Sequence, residues 1–419
     1  MLISLGVRQG AGKSYMAKKL NSAIGVDIGS QTIKLVEIRL QGNQPTVTAM
    51  SQAMTPEGAV DHFGVHDDQA VGAVLKELIS SSGASASDVV VSIAGQGSVL
   101  VRTLEVPKMT DGELAQHMDW EITRNIPFGE KTIESDYKAF PSADDQAQNM
   151  DVVMAISPQS AVELMASVVK KAGKKTAAID VEPLGIARSL AVTYDSDYHD
   201  KTLCVVDIGH KTTSINIYRN GQLLMPRLVP IGGQMFTQAI ADAKNIGFEE
   251  AEQIKIKDVN IPADAAQQME GLNPFDADAG TQAMEPYNPF SDSPESDKGD
   301  AQVENPPAVV DEPPSSGGEP DELFAALADV LDEMIAEIRR SVDYYRSKGG
   351  DVDHVLLSGG GSKLKGLQAF IEASVGLSVS QYDPLKGVVS SIRKPDASVD
   401  ESHCEEFVIA VGNALHVAF

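Results

Sequence analysis

The sequence predicts an α/β fold whose halves meet at one pocket, and three glycine-rich turns are the observations that predict it. In the first, an apolar strand from Ile24 reaches Asp27-Ile28-Gly29, crosses Ser30, Gln31 and Thr32, and becomes a second strand through Ile33 and Lys34. The second repeats that design, from Leu203 to Asp207-Ile208-Gly209, across His210, Lys211, Thr212 and Thr213, then out to Ile217. The third is a strand, Val355 to Ser358, followed by Gly359, Gly360, Gly361 and Ser362 and, past Lys365, a helix. Glycine lets a backbone approach a phosphate closely. Exposed N–H groups in such turns bind phosphate oxygens, and an aspartate at the hairpin rim holds Mg²⁺ through water. Asp-Gly turns also occur in ordinary hairpins. Two in matched hairpins, with a later triple-glycine turn that suits the flat face of adenosine, point to a nucleotide pocket.

Along the chain, Arg8 to Ser14 invites comparison with a P-loop, but the required glycine position holds Val7. Residues 1–22 therefore read as a short basic arm. After the first hairpin (23–40), Ala70 to Ile79 has helical apolar spacing. Strands follow at 88–93 and 99–107, then a helix from Thr110 to Thr123 with Thr110 or Asp111 as its cap and Glu113 in its first turn. Asn125-Ile126-Pro127-Phe128 ends it, Pro127 and Phe128 reading as a stop and a core anchor. Strands near 134–140 and 151–156, a helix at 160–172, a strand around 176–180 and a helix at 185–192 precede the second hairpin. Helical segments follow Gly232-Gly233 and span Glu249 to Lys255. A helix from Pro320 to Lys348, the third turn with its helix to Ser374, a strand at 377–379 and a final helix at 403–418 complete the chain.

Composition separates one segment from the rest. Residues 258–322 hold sixteen acids and one base, Lys298, so they carry −15 of the chain's net −26. Ten of the 21 prolines lie between 258 and 320. Such a stretch buries too little apolar surface to offset its ordering entropy and reads as a disordered insert. It repeats Asn-Pro-Phe at 273–275 and 288–290, which reads as chance in a proline-rich linker or as a pair of docking motifs. No basic face fits nucleic acid, and the same charge disfavours anionic lipid. The two cysteines, Cys204 and Cys404, make no disulfide framework and fit a reducing cytoplasm. No apolar run reaches the length of a membrane span.

The pattern of turns resembles the actin-like ATPase superfamily, a ribonuclease H-like α/β fold of two domains. The turns match its phosphate-1, phosphate-2 and adenosine loops. Within it the sequence is most similar to the PilM family of type IV pilus assembly and next to the FtsA family of cell division. The run from Met109 through Trp120-Glu121 to Ile126-Pro127-Phe128 resembles the extra subdomain of both. The resemblance implies a subdomain 1A (23–85 and 166–200, with helix 403–419) and an extra subdomain 1C (86–165). It further implies a subdomain 2A (201–245 and 345–402) and a subdomain 2B (246–344) carrying the insert 258–320.

It also implies roles for residues. ATP and Mg²⁺ are the expected ligands, with Asp27 and Asp207 organising the metal through water. Gly29, Ser30, Gln31, Thr32 and Lys34, with Gly209, His210, Lys211, Thr212 and Thr213, face the phosphates. Glu252 and Lys255 match a ribose-contacting helix, although charges at i and i+3 are also an ordinary solvated face. Arg340 stacks on adenine or joins a surface ion-pair network with Glu337. Gly359, Gly360, Gly361, Ser362 and Lys365 hold the adenosine. Hydrolysis needs a group that orients water; Glu182 is the candidate, with Asp180 in that role or a purely structural role as the alternatives, and turnover stays open. The C-terminus, which stops in the last fold helix, favours the pilus reading. That reading implies a cytoplasmic scaffold, peripheral to the inner membrane, that docks the cytoplasmic tail of the membrane protein PilN and contacts other platform proteins. The rivals are a division-type filament protein and a sugar- or acetate-kinase-like phosphotransferase.

Overall fold

In the computed structural model the described residues are 20–129, 132–140, 148–194, 196–272 and 322–419. The P-loop comparison at 8–14, the two Asn-Pro-Phe sites and most of the acidic insert lie outside them.

The first hairpin is β1 (Ser22–Ile28) and β2 (Thr32–Gln41), and β3 (Gln44–Met54) returns beside it. A small hairpin, β4 (Val60–Asp61) and β5 (Gly64–Val65), leads to α1 (Asp68–Ser82) and β6 (Asp88–Ile93). An outlying block follows: β7 (Leu100–Pro107), α2 (Asp111–Arg124), β8 (Ile133–Phe140) and β9 (Asn149–Pro158). The chain returns through α3 (Gln159–Lys171), β10 (Lys175–Val181) and α4 (Glu182–Thr193). The second half opens with β11 (Thr202–Ile208), β12 (Thr213–Arg219), β13 (Gln222–Met225) and β14 (Leu228–Val229). Helices α5 (Gly233–Lys244), α6 (Phe248–Lys257), α7 (Ala265–Leu272) and α8 (Glu322–Ser347) come next. Then follow β15 (His354–Ser358), α9 (Leu367–Val375), β16 (Val379–Gln381), β17 (Val389–Ser390) and α10 (Val408–Ala414).

Two sheets carry the architecture. The first runs β10-β6-β1-β2-β3-β17; the second runs β13-β12-β11-β15-β16. Alternate residues of a strand face opposite sides, and the cores obey this. Val205, Tyr218 and Leu356 of the second sheet pack with α4 and the first domain, while Cys204, Val206 and Leu357 face α5 and α8. Two glycine contacts seat α10. A Cβ on Gly25 would lie 2.0 Å from the Ala410 carbonyl, and one on Gly412 would lie 1.9 Å from the Gly185 carbonyl. Bare backbone at these points lets α10 lie against β1 and α4.

In α2 the expected cap is Thr110, whose side chain and Glu113 form a reciprocal capping box. Phe128 packs on the small core of the outlying block, as its reading as an anchor requires.

Several boundaries move. The extra block does not begin at 86 or end at 165. Strand β6 lies between β10 and β1 in the main sheet, and α3 buries Val162, Met165, Val168 and Val169 in the first core. The block proper is the three-stranded sheet β7-β9-β8 with α2. The insert starts after 258: Val259, Ile261 and Ala265 are buried, and Ile261 N–H donates to the Lys365 carbonyl at 2.9 Å. Sparse apolar residues at the right spacing outweigh the local charge there. Residues 383–402 do not stay with the second domain, because β17 pairs with β3. The helix expected from 185 begins at Glu182, with Pro183 in its first turn. Strand β3 carries polar residues at Thr48, Ser51 and Gln52 and was not legible as a strand.

Candidate functional site

The two phosphate-type hairpins fold alike. In the first, Ile28 pairs with Ile33, and Gly29 N–H donates to the Thr32 carbonyl at 3.1 Å. In the second, Ile208 pairs with Thr213, and Gly209 N–H donates to the Thr212 carbonyl at 2.9 Å. A Cβ at Gly29 or Gly209 would come 2.9 or 2.8 Å from those same carbonyls, so both turns demand glycine. The hairpins differ at one pair: Asp27 faces Lys34 across its ladder, while Asp207 faces Ser214. One lysine therefore serves two aspartates. The third turn enters from β15 with Gly359 at φ +81°, where an added Cβ would lie 2.4 Å from the Ile208 carbonyl.

These turns line one cleft of about 450 Å³ between the domains. Its walls include Asp27, Gly29, Ser30, Gln31, Thr32 and Lys34 from the first hairpin, and Asp207, Gly209, His210 and Thr212 from the second. Glu252 and Lys255 of α6 join them, with Gly359, Gly360, Gly361 and Lys365 from the third turn and Glu182 from the start of α4.

Charge in the cleft is unbalanced. Lys34 Nζ lies 3.0 Å from an Asp27 carboxylate oxygen. Burial opposes the lysine's charge, but the ion pair and hydrogen bond to Asp27, with the fields of Asp207 and Glu406, hold its pKa above the usual value. Burial and the charge of Asp27 push the Asp207 carboxyl up to about 6 against the help of Ser358 and Lys34. Glu182 is raised well above the carboxylate range by burial and by Asp27 and Asp207. Three acids thus share one cation. Across the cleft, Lys255 donates to the Gly233 carbonyl at 3.1 Å and Thr237 at 2.8 Å, and pairs with Glu252 at 2.7 Å. Burial, then the charge of Lys255, lowers the His210 pKa from the usual imidazole value.

Five expected residues lie outside these walls. Asp180 is fully buried, 2.5 Å from Arg188, and both side chains are solvent-free. Arg188 also donates to the Gly412 carbonyl at 2.8 Å. Asp180 is therefore a core ion pair and not a group that reaches water in the cleft. Arg340 is exposed on α8 and pairs with Glu337, the surface-network reading. Thr213 and Ser362 are buried, their hydroxyls donating to the Ile231 and Gly359 carbonyls at 2.7 Å. Lys211 instead lines a second, narrower cavity of about 80 Å³. That cavity shares Gly29, Ser30, Glu182 and Thr212 with the cleft and reaches Gly95, Ser98 and Met165 near the root of the extra block.

Sequence reasoning missed Gln52, Met54 and Ile256, which also line the cleft, and Glu406, which pairs with Lys363 at 2.6 Å. Gln52 sits opposite Lys34 in the β2–β3 register, so recognising β3 would have found it. No local signal marks Glu406.

The family model for type IV pilus assembly protein PilM matches residues 25–302, and that for cell division protein FtsA matches 204–401. Among curated proteins, FtsA of Neisseria meningitidis serogroup B is 30% identical over 97 residues, 23% of each chain. FtsA of Buchnera aphidicola is 42% identical over 73 residues, 17% of each. The chain thus spans under a quarter of the length of the curated relatives it matches. Among solved structures, a PilM-PilN type IV pilus biogenesis complex aligns over 96% of this chain and 100% of that one, with TM-score 0.73 and 23% identity. This likeness shows the fold, which is actin-like.

Proposed function

The chain belongs to the type IV pilus assembly protein PilM family, and we propose that it serves as an ATP-binding scaffold that holds the cytoplasmic tail of PilN. The observation that carries the nucleotide reading is the pair of like-built turns at Gly29 and Gly209, opposed across a cleft with a third glycine turn at its side. Turn N–H groups and Lys34 bind the phosphates. Glu252 and Lys255 face the ribose, and Gly359 to Gly361 leave room for the base. Among the described residues no three His, Cys, Asp or Glu side chains are placed to chelate a metal together. The excess of buried carboxylate still fits a cation held through water by Asp27 and Asp207. Magnesium in that position supplies charge neutralisation for the β- and γ-phosphates. Glu182 is the one carboxylate of the sequence-expected catalytic pair that reaches the cleft, and it is the group proposed to hold attacking water.

Calorimetry with Mg-ATP tests this reading. The native chain should bind, and Lys34→Ala should lose about tenfold or more in affinity, since a charge-assisted hydrogen bond contributes about 1.5–3 kcal/mol. Equal affinity in a folded variant would remove Lys34 from the site.

The partner reading rests on the family and on the narrow cavity at the root of the extra block. Among the described residues no helix is long and apolar enough to cross a membrane, so a membrane-bound partner is the proposed route to the inner membrane. A peptide laid in a groove gains main-chain hydrogen bonds and pocket contacts, which makes micromolar binding a reasonable order of magnitude. The informative deletion is 100–157 closed by a short linker, because a cut from residue 87 would remove β6 from the main sheet. The deleted protein should fold and lose capture of a PilN-tail peptide. Capture at full affinity would move the partner site elsewhere.

A further inference from the structure

Strand β12 starts at the second phosphate turn, and at its far end the chain turns into β13, which meets the extra block. Six of its seven residues are buried, and it is paired with β11 along its whole length. At an extended rise of about 3.3 Å per residue it spans roughly 20 Å as one stiff piece. Its far end turns through Asn220 and Gly221, both at positive φ, into β13. That turn rests on α4: a Cβ on Gly221 would lie 3.4 Å from the Ala191 methyl. Nearby, the Tyr218 hydroxyl donates to the Pro183 carbonyl at 2.9 Å.

Beyond this support lies a seam between two sheet edges. β13 is an edge of the second sheet and β7 an edge of the extra block. The β12–β13 ladder slips at one point: Tyr218 pairs with Leu223 and Ile217 with Met225, leaving Leu224 as the extra residue of a bulge. A bulge re-aims the backbone of an edge strand. Here the Leu224 carbonyl accepts from the Thr103 hydroxyl of β7 at 2.9 Å. Alongside, Gln222 donates to Asp151 of β9 at 3.3 Å.

We propose that β12 is a lever that couples the second phosphate turn to the extra block through this seam. A shift of the turn at Gly209 to Thr212 tilts a stiff strand supported on α4, and its outer end moves β13 against β7. Among the described residues two side-chain hydrogen bonds cross the seam beside the apolar packing of Leu223, so the polar part of it can be remade. The inference goes beyond the proposed function and requires no ligand.

Hydrogen exchange on the full chain tests it without nucleotide, so its outcome is separable from the nucleotide reading. Gly209→Ala forces the turn to move, because the added Cβ would lie 2.8 Å from the Thr212 carbonyl. Exchange at residues 101–106 and 150–155 should then change at least threefold. In a background of Thr103→Val with Gln222→Ala, the same Gly209→Ala step should leave those amides unchanged. Should Gly209→Ala fold poorly, Thr212→Gly loosens the same turn without adding an atom and carries the same expectation. No change in the extra block of a folded turn variant would overturn the lever. So would a change that persists once the seam is removed.

Discussion

Gly412→Val should leave little folded protein, although residue 412 touches neither the cleft nor the extra block. An added Cβ would lie 1.9 Å from the Gly185 carbonyl oxygen and 2.4 Å from its carbon. Both belong to α4 backbone, which lacks the freedom of a side-chain tip. Relief requires α10 to withdraw from α4, which would open the packing of Phe407, Val411 and Leu415 beneath the first sheet. The expected loss exceeds about 4 kcal/mol, the range reserved for severe core lesions, against a total of about 5–15 for a typical domain. Soluble yield and thermal melting measure it. Gly112→Ala is the matched control: it also lies in a helix, has nothing within 4 Å of an added Cβ, and should gain up to about 1 kcal/mol. A cooperative melt near the native midpoint for Gly412→Val would mean that the two helices do not meet through bare backbone.

This glycine contact marks what the sequence did not reveal. The hairpin turns at Gly29 and Gly209 were legible because each is local: strand, aspartate, glycine and hydroxyl residues follow one another within a dozen positions. Gly25, Gly185 and Gly412 meet only after folding, and nothing near Gly412 signals a partner more than two hundred residues away. The choice between a water-orienting and a structural Asp180 was hidden for the same reason. Asp180 stands two positions before Glu182, a spacing that strand alternation alone would put on one face, but the turn into α4 sends one side chain to Arg188 and the other to the cleft. Arg340 looked available in the sequence because its helix precedes the third turn, but that helix buries Ile338 and Val342 and leaves Arg340 on the solvent side. The acid-rich composition of 258–322 was legible; that its first residues join a core was not, since Val259 and Ile261 are too few to alter a composition window.

Asp207→Asn should stabilise the ligand-free protein at pH 7.5 while weakening its binding of magnesium nucleotide. Burial and the charge of Asp27 push the folded carboxyl up to about 6 from its ordinary value of 3.8. An acid raised on folding binds its proton more tightly in the native state. Its penalty is therefore absent below about pH 4, grows as pH rises towards 6, and is complete above that. Two pKa units correspond to on the order of 2–3 kcal/mol. Asparagine keeps the shape but carries no charge, so it removes that penalty and eases the repulsion on Glu182. Urea melts between about pH 3.5 and 8 should show native stability falling relative to that of Asp207→Asn as pH rises, with the two curves converging below about pH 4. The same substitution should cost Mg-ATP affinity, since a neutral amide orders metal-bound water less strongly than a carboxylate does. A variant less stable than the native chain at pH 7.5 would show that Asp207 is held by favourable partners and not by the needs of the cleft, and the ligand role proposed for it would fall with that result.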